Sequence, residues 1–217
     1  MEELKCLFLS KPDNKYTEEA ADFIRSRLPG ATIFLGTRQD KLTPEILQWK
    51  GDLLISFISH WVLPAQLLAN AKLAINFHPG SPAYPGTGCT NFAIYNNEKE
   101  YGVTCHHMNA AVDAGAIIDV SYFPVEANES VYSLTQKSYS KLLEQFRRVL
   151  EIVLQGKSLP VSAERWERKP YTRKELNELC FISPAMTEGE IERRIKATTY
   201  DRPWAYTKIG EHIFKLM

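Results

Sequence analysis

The chain lacks any apolar run approaching the about 20 residues that a membrane-spanning helix needs. It also lacks an excess of either charge. Its 26 Lys and Arg stand against 26 Asp and Glu, so nothing in the total points to a general electrostatic grip on nucleic acid. The opening MEELKCLFLS is acidic and has no apolar h-region, so no signal peptide is read there. Cysteine is scarce. Cys6, Cys89, Cys105 and Cys180 show no CxxC or other metal-ligand spacing. They read as free thiols of a cytoplasmic protein, with an active-site cysteine the lesser alternative and no metal site. Repeats and low-complexity segments are absent, and no GxGxxG follows the first apolar run, which removes a nicotinamide dehydrogenase. What remains is a chain of 217 residues, enough for one domain with an appendage.

What is present has a rhythm. Leu4 to Leu9 reads as a strand, and YTEEAADFIRSRL has helical spacing ended by Pro29-Gly30. ATIFLG is β-rich, and Thr43-Pro44-Glu45 starts a short helix with Thr as cap and Pro at the first helical position. LLISF is unalternating, as in a parallel strand covered on both faces. LPAQLLANA is a short helix and LAINF a further strand. Strand, helix, strand, helix, strand predicts an α/β fold with a doubly wound, Rossmann-like, mostly parallel sheet. Thr90 to Tyr95 reads as a short helix, YGVTCHHM and Gly115 to Phe123 as antiparallel edge strands. Ser130 caps the longest helix, to Gly156, with an apolar stripe from Val131 to Val153. From Lys157 the texture turns polar, aromatic and rich in proline. TRKELNEL is a helix candidate. SPAMTEGEIERRIKAT is helical in its second half, with Thr187 as cap and Ile191 and Ile195 expected to be buried. YTKIGEHIFKL reads as a hairpin. The expected division is a larger domain, 1–156, and a small C-terminal helix and hairpin module, 157–217.

The chemistry concentrates between Leu73 and Asp119. An extended segment delivers Asn76 and His78 to one face, because strand residues alternate sides. A loop dense in Gly and Pro follows, and then Asp113 just before Gly115. Singly, Asn76 and His78 can merely end a strand, and Asp113 can fix a turn. Together, an amide, an imidazole and a carboxylate can polarise a carbonyl, hold an oxyanion and move a proton. The ordered set reads as a catalytic centre.

NFHPGSPAYPG followed by GVTCHHM and VDAGAII resembles the 10-formyltetrahydrofolate-dependent formyltransferase family. The resemblance extends from about Leu4 to about Lys215 and is strongest between Gly51 and Val120. It implies that an amine attacks the formyl carbon of 10-formyltetrahydrofolate, that Asn76 and protonated His78 stabilise the oxyanion, and that Asp113 positions the imidazole and helps remove the proton. It also implies a folate cleft bordered by Ser59, His60, Trp61 and Val62 on one side and Met108, Asn109 and Ala110 on the other, read largely through main-chain groups. Trp61 covers part of the ligand or is plain core. Ser81 and Tyr84, in the Gly/Pro loop, are candidates for substrate contact, although such loops equally just turn corners. His106 matches the family's second histidine and is given a structural role.

Two departures bear on the acceptor. SKPDNKYTEEA has no glycine where the glycinamide ribonucleotide enzymes carry a phosphate loop, so that backbone cradle is missing. The tail is too short for the C-terminal barrel of methionyl-tRNA formyltransferases. It resembles instead the small module of nucleotide-amino-sugar N-formyltransferases. The implied partners are therefore a nucleotide-linked amino sugar and folate, with no nucleic acid and no membrane; a homodimer is compatible with the tail. Glycinamide ribonucleotide or methionyl-tRNA as acceptor, and a non-catalytic folate-binding protein on the same fold, are the rivals. Tyr171, Tyr200, Trp204 and Tyr206 either offer faces for a nucleobase or pack the tail on the core.

Overall fold

The computed structural model describes residues 4–217; the first three residues of the acidic opening lie outside the described residues. Six strands, β1 (Cys6–Ser10), β2 (Thr32–Leu35), β3 (Gly51–Phe57), β4 (Ala71–His78), β5 (Glu100–His107) and β6 (Ile117–Pro124), form one sheet in the order β2-β1-β3-β4-β5-β6. β2, β1, β3 and β4 run parallel, and β5 and β6 add antiparallel at one edge. The winding reverses at β1, which has β2 on one side and β3 on the other. That reversal makes the fold doubly wound and puts a switch point between β1 and β3.

The uniform burial of β1 and of LLISF has a direct cause, since both faces of these strands are covered. Helices α1 (Lys15–Arg27) and α5 (Val131–Leu154) close one face over Phe8, Ile55 and Phe77. Phe146 of α5 sits centrally there, with the rings of Phe8, Phe57 and Phe77 at 6.0, 5.2 and 5.2 Å. Helices α2 (Pro44–Leu47) and α3 (Ala65–Ala69) cover the other face over Leu7, Leu9 and Leu54. The expected caps are in place: Thr43 accepts from Ile46 N, and Ser130 from Ser133 N. Asn14 adds another by accepting from Tyr16 N and Thr17 N, which explains why SKPDN stops β1 and starts α1. Among the described residues no helix is long and apolar enough to cross a membrane.

The tail holds α6 (Arg173–Leu179), α7 (Glu188–Thr198) and a hairpin of β7 (Tyr206–Ile209) and β8 (His212–Lys215), following α4 (Cys89–Tyr95) and α5 in the chain. Gly210 turns the hairpin with φ +59°, the region that two-residue hairpin loops require. Thr172 and Glu175 form a capping box for α6. Leu176, Leu179 and Ala197 belong to the core that α1 and α5 cover, so 157–217 packs as a continuation of 1–156. One expectation fails. Ile191 and Ile195 are only half-buried, and α7 buries Ala197 and Thr198 instead. The helix meets α4 through its last turn, where Asn91 Nδ2 donates to Ala197 O at 2.8 Å. A small residue at that crossing lets the backbones approach, and the two isoleucines lie beside it.

Candidate active site

Parallel strands bring their carboxyl ends to one edge of the sheet, and the loops leaving β2, β3 and β4 meet there. They enclose a cavity of about 810 Å³, a size that accommodates drug-sized ligands. Its lining includes Asn76, His78, His106 and Asp113. Ile58 and Asp113 stand at its margin with φ of +52° and +40°. A β-branched residue in the left-handed region is rare, and such strain survives where surrounding structure enforces it.

The polar centre is a network around Asp113, which is only 8% exposed. Asp113 Oδ2 accepts from Gly86 N at 2.7 Å and lies 3.2 Å from His78 Nδ1. Asp113 Oδ1 lies 3.3 Å from His106 Nε2 and accepts from Asn76 Nδ2 at 3.4 Å. Burial pushes the Asp113 carboxyl up, but the charge of His78, the hydrogen bond and charge of His106, and the Gly86 N–H outweigh it. The carboxyl is held well below the usual carboxylate range.

Each imidazole is fixed from both ends. His78 Nε2 donates to the carbonyl of Tyr84 at 2.9 Å, while Nδ1 faces the Asp113 carboxylate. Both neighbours accept only, so the doubly protonated ring satisfies both. His106 Nδ1 donates to His107 O at 2.9 Å, and its Nε2 is 3.0 Å from Asn76 Nδ2. His106 Nε2 thus lies between Asp113 Oδ1 and the Asn76 amide: protonated it donates to the carboxylate, and neutral it accepts from Asn76 Nδ2. Nothing in the motif spacing signals that double contact.

A segment of the tail straps this centre. Glu167 N donates to Pro82 O, Tyr171 N to Pro85 O, and Thr87 N to Tyr171 O, so 167–171 runs along the Gly/Pro loop as a short ladder. Trp166 Nε1 donates to Gly115 O at 2.8 Å. Its ring stands edge to face against His78 at 6.0 Å and His106 at 5.1 Å. Tyr171 is sandwiched, 3.7 Å from the Phe92 ring on one side and 3.2 Å from the Arg168 guanidinium carbon on the other.

The structure sorts the expected residues. Ser59, His60, Trp61, Val62, Met108 and Asn109 line the cavity. Ala110 is exposed and outside the lining, because the loop turns it away. Trp61 does both of the things left open for it. Its ring packs on Phe34 at 5.3 Å with Nε1 donating to Asp40 O, yet it borders the cleft. Ser81 and Tyr84 are buried and do not line the cleft. The Tyr84 hydroxyl donates to Glu98 at 2.5 Å and accepts from Asn96, and its contribution to the site is the backbone carbonyl that holds His78. Of the four tail aromatics, Tyr171 lines the cleft but has its ring stacked on Phe92, Tyr206 packs on Phe181, and Tyr200 packs on Tyr132. Trp204 is 40% exposed and lines the cleft. All four cysteines are free and buried; burial raises the Cys89 thiol, the one nearest the centre, and it has no nucleophilic setting. No cluster that could hold a metal ion occurs among the described residues.

The fold defines an α/β protein of the doubly wound class, with an amide, two imidazoles and a carboxylate at the carboxyl edge of its sheet. Residues 34–150 match the formyl transferase family, and the chain belongs to that family. Over 169 residues it is 31% identical to the GDP-perosamine N-formyltransferase of Brucella melitensis biotype 1; the match covers 75% of this chain and 63% of the relative's length. Among solved structures, a likely sugar N-formyltransferase from Mycobacterium tuberculosis superposes with TM-score 0.78 at 21% identity, covering 98% of this chain and 96% of that one. An N-formyltransferase from Helicobacter canadensis, solved with folinic acid and dTDP-3-aminofucose, gives TM-score 0.71 at 18% identity, with coverage of 96% and 84%. These two likenesses concern the fold.

Proposed function

We propose that this chain is a cytoplasmic N-formyltransferase that moves the formyl group of 10-formyltetrahydrofolate to the amine of a nucleotide-linked aminodeoxy sugar. The observation that carries the reading is the joint placement of Asn76, His78, His106 and Asp113 at the floor of one cleft in a formyl transferase chain. The cleft suits folate on a point of its own. The main-chain groups of His60 and Val62 carry no hydrogen bond among the described residues, so they are free to meet the edge of a pterin. The Brucella relative acts on a nucleotide sugar by name, and the Helicobacter neighbour was solved with both kinds of ligand, which supports the acceptor class.

In the reaction a bond forms between the acceptor nitrogen and the formyl carbon, the bond from that carbon to folate N10 breaks, and one proton passes from the acceptor nitrogen to N10. Asn76 lines the cleft, and its amide donates to the oxygen on which charge develops once one N–H leaves His106 or Asp113. His78 stands at the same wall, and its imidazole can give or take a proton once the ring releases Tyr84 O. Asp113 is held too low to be an effective base and acts by orienting the other three. The test is formylation of a panel of dTDP-, UDP- and GDP-linked amino sugars beside glycinamide ribonucleotide and charged initiator tRNA. A sugar nucleotide is expected to show the highest kcat/KM. A higher value for glycinamide ribonucleotide or tRNA would overturn the acceptor, and no formylation of any would overturn the reaction.

A further inference from the structure

The balanced charge of the whole chain conceals an unbalanced cleft. Asp113 is the only carboxylate lining it among the described residues, and that carboxylate is engaged by His78 and His106. Arg38 and Arg173 line the same cavity, and neither side chain has a hydrogen-bond or ion-pair partner among the described residues. Most other arginines, Arg27, Arg147, Arg148 and Arg168 among them, are paired with carboxylates. Lys11, at the carboxyl end of β1, adds a third charge. Its ammonium donates to the Tyr139 hydroxyl at 2.9 Å and sits 4.5 Å over that ring, with no carboxylate partner, and Tyr139 also lines the cleft.

These cations act on one another. Burial lowers the Arg173 guanidinium and the charge of Arg38 adds to it; burial lowers His60, with Lys11 and Arg38 adding to that. Holding like charges together is unfavourable, and an anion with several adjacent charges relieves it. Planar guanidinium forks match phosphate oxygens. The neighbouring Trp204 offers an exposed indole face within the same lining.

We propose that Arg38 and Arg173 form a diphosphate subsite at the mouth of the cleft, with Lys11 reinforcing the charge and Trp204 stacking on the base of the nucleotide. The subsite rests on the sugar-nucleotide reading given above, and it assigns residues to the part of that substrate remote from the reacting amine. The other polyanion that the reading brings to this cleft is the glutamate end of the folate, and the experiment separates the two.

Isothermal titration calorimetry on the full chain uses inorganic pyrophosphate, dTDP, UDP and GDP as titrants, and tetrahydrofolate separately. Pyrophosphate and at least one nucleotide should bind, with affinity falling as salt rises. Arg38→Gln and Arg173→Gln should each weaken both about tenfold or more. Both side chains are exposed, so folding is preserved, which circular dichroism checks. Trp204→Ala should weaken the nucleotide roughly tenfold and leave pyrophosphate unchanged. Tetrahydrofolate affinity should stay within about twofold in all three variants. Unchanged diphosphate binding in the arginine variants overturns the subsite, as does loss of tetrahydrofolate binding instead, or a wild-type chain that binds no diphosphate. None of these readouts needs turnover. A chain that binds diphosphates as described yet formylates nothing refutes the reaction and leaves the subsite standing.

Discussion

Gly86 joins the strap to the buried network around Asp113, and replacing it by alanine tests both links at once. Its φ is +86°, and a Cβ there would meet Tyr171 O first of all and would lie 2.7 Å from Tyr171 N and 2.9 Å from Pro170 Cβ. The nearer contact is roughly 0.7 Å short of ordinary van der Waals separation, and its main neighbour is backbone, which cannot swing aside. The left-handed conformation costs a non-glycine residue about 1–2 kcal/mol. Displacing the Gly86 N–H from the buried Asp113 carboxylate costs about 1.5–3 kcal/mol more. A total of about 3–5 kcal/mol corresponds to a Tm drop of roughly 6–20 °C in a chain of this size. Asp113 anchors Asn76 and both imidazoles, and a shift approaching 1 Å at such a centre can lower kcat by about 100-fold. Gly156→Ala is the control. Gly156 has φ +65° and nothing within 4 Å of its Cβ position, so only the conformational cost applies. Calorimetric melting and single-turnover formyl transfer measure the two effects. If Gly86→Ala melts like Gly156→Ala and turns over within about twofold of wild type, the strap does not hold Asp113 and the reasoning fails.

Three further perturbations separate the remaining roles. His78→Ala and Asn76→Ala should each lose about two orders of magnitude in kcat with the circular dichroism spectrum unchanged; a folded variant of near-normal rate removes that residue from the chemistry. Trp166→Phe keeps a ring beside the two imidazoles but loses the hydrogen bond to Gly115 O, so it should shift the pH–rate profile more than the Tm; an unmoved profile would leave Trp166 with packing alone. Cys6 is pushed up to about 12 by burial, so the folded chain keeps a neutral thiol where the unfolded chain ionises near pH 8.5. That stability is complete below about pH 8.5 and declines as pH rises toward the folded value, by up to about 5 kcal/mol. Cys6→Ala should flatten the fall of the urea midpoint between about pH 8.5 and 11, and an equal fall in both proteins would contradict this.

The strands were legible because their signals are local. LLISF lacks alternation since it is buried on both faces, and Asn76-x-His78 shares a face by the geometry of any strand. Caps at Thr43, Ser130 and Thr187 follow from side-chain chemistry within one turn. Asp113 could be placed with the pair because Gly115 and the order of the motifs marked it. Trp166 could not. It stands in SAERWERKP, whose composition reads as solvated loop, and it reaches the site only when 167–171 returns along the Gly/Pro loop. Arg38 and Arg173 were invisible for a related reason, since their meaning lies in the absence of acids around them, a property of the folded cleft. Tyr84 misled because a tyrosine in a Gly/Pro loop suggests a hydroxyl aimed at ligand, whereas here the carbonyl does the work and the phenol is inside.

The strap also sets a sequence in time. On the ribosome, chains emerge from the N-terminus at about 5–20 residues per second. Asn76, His78 and Asp113 therefore leave the tunnel several seconds before Tyr171, whose main chain completes the ladder along 85–87. During that interval Gly86 has no partner strand, and the Phe92 ring lacks the Tyr171 ring that stacks on it. A nascent chain thus carries Asn76, His78 and Asp113 without the strap that frames them. Translation past the strap is then the event that completes the frame around Asp113.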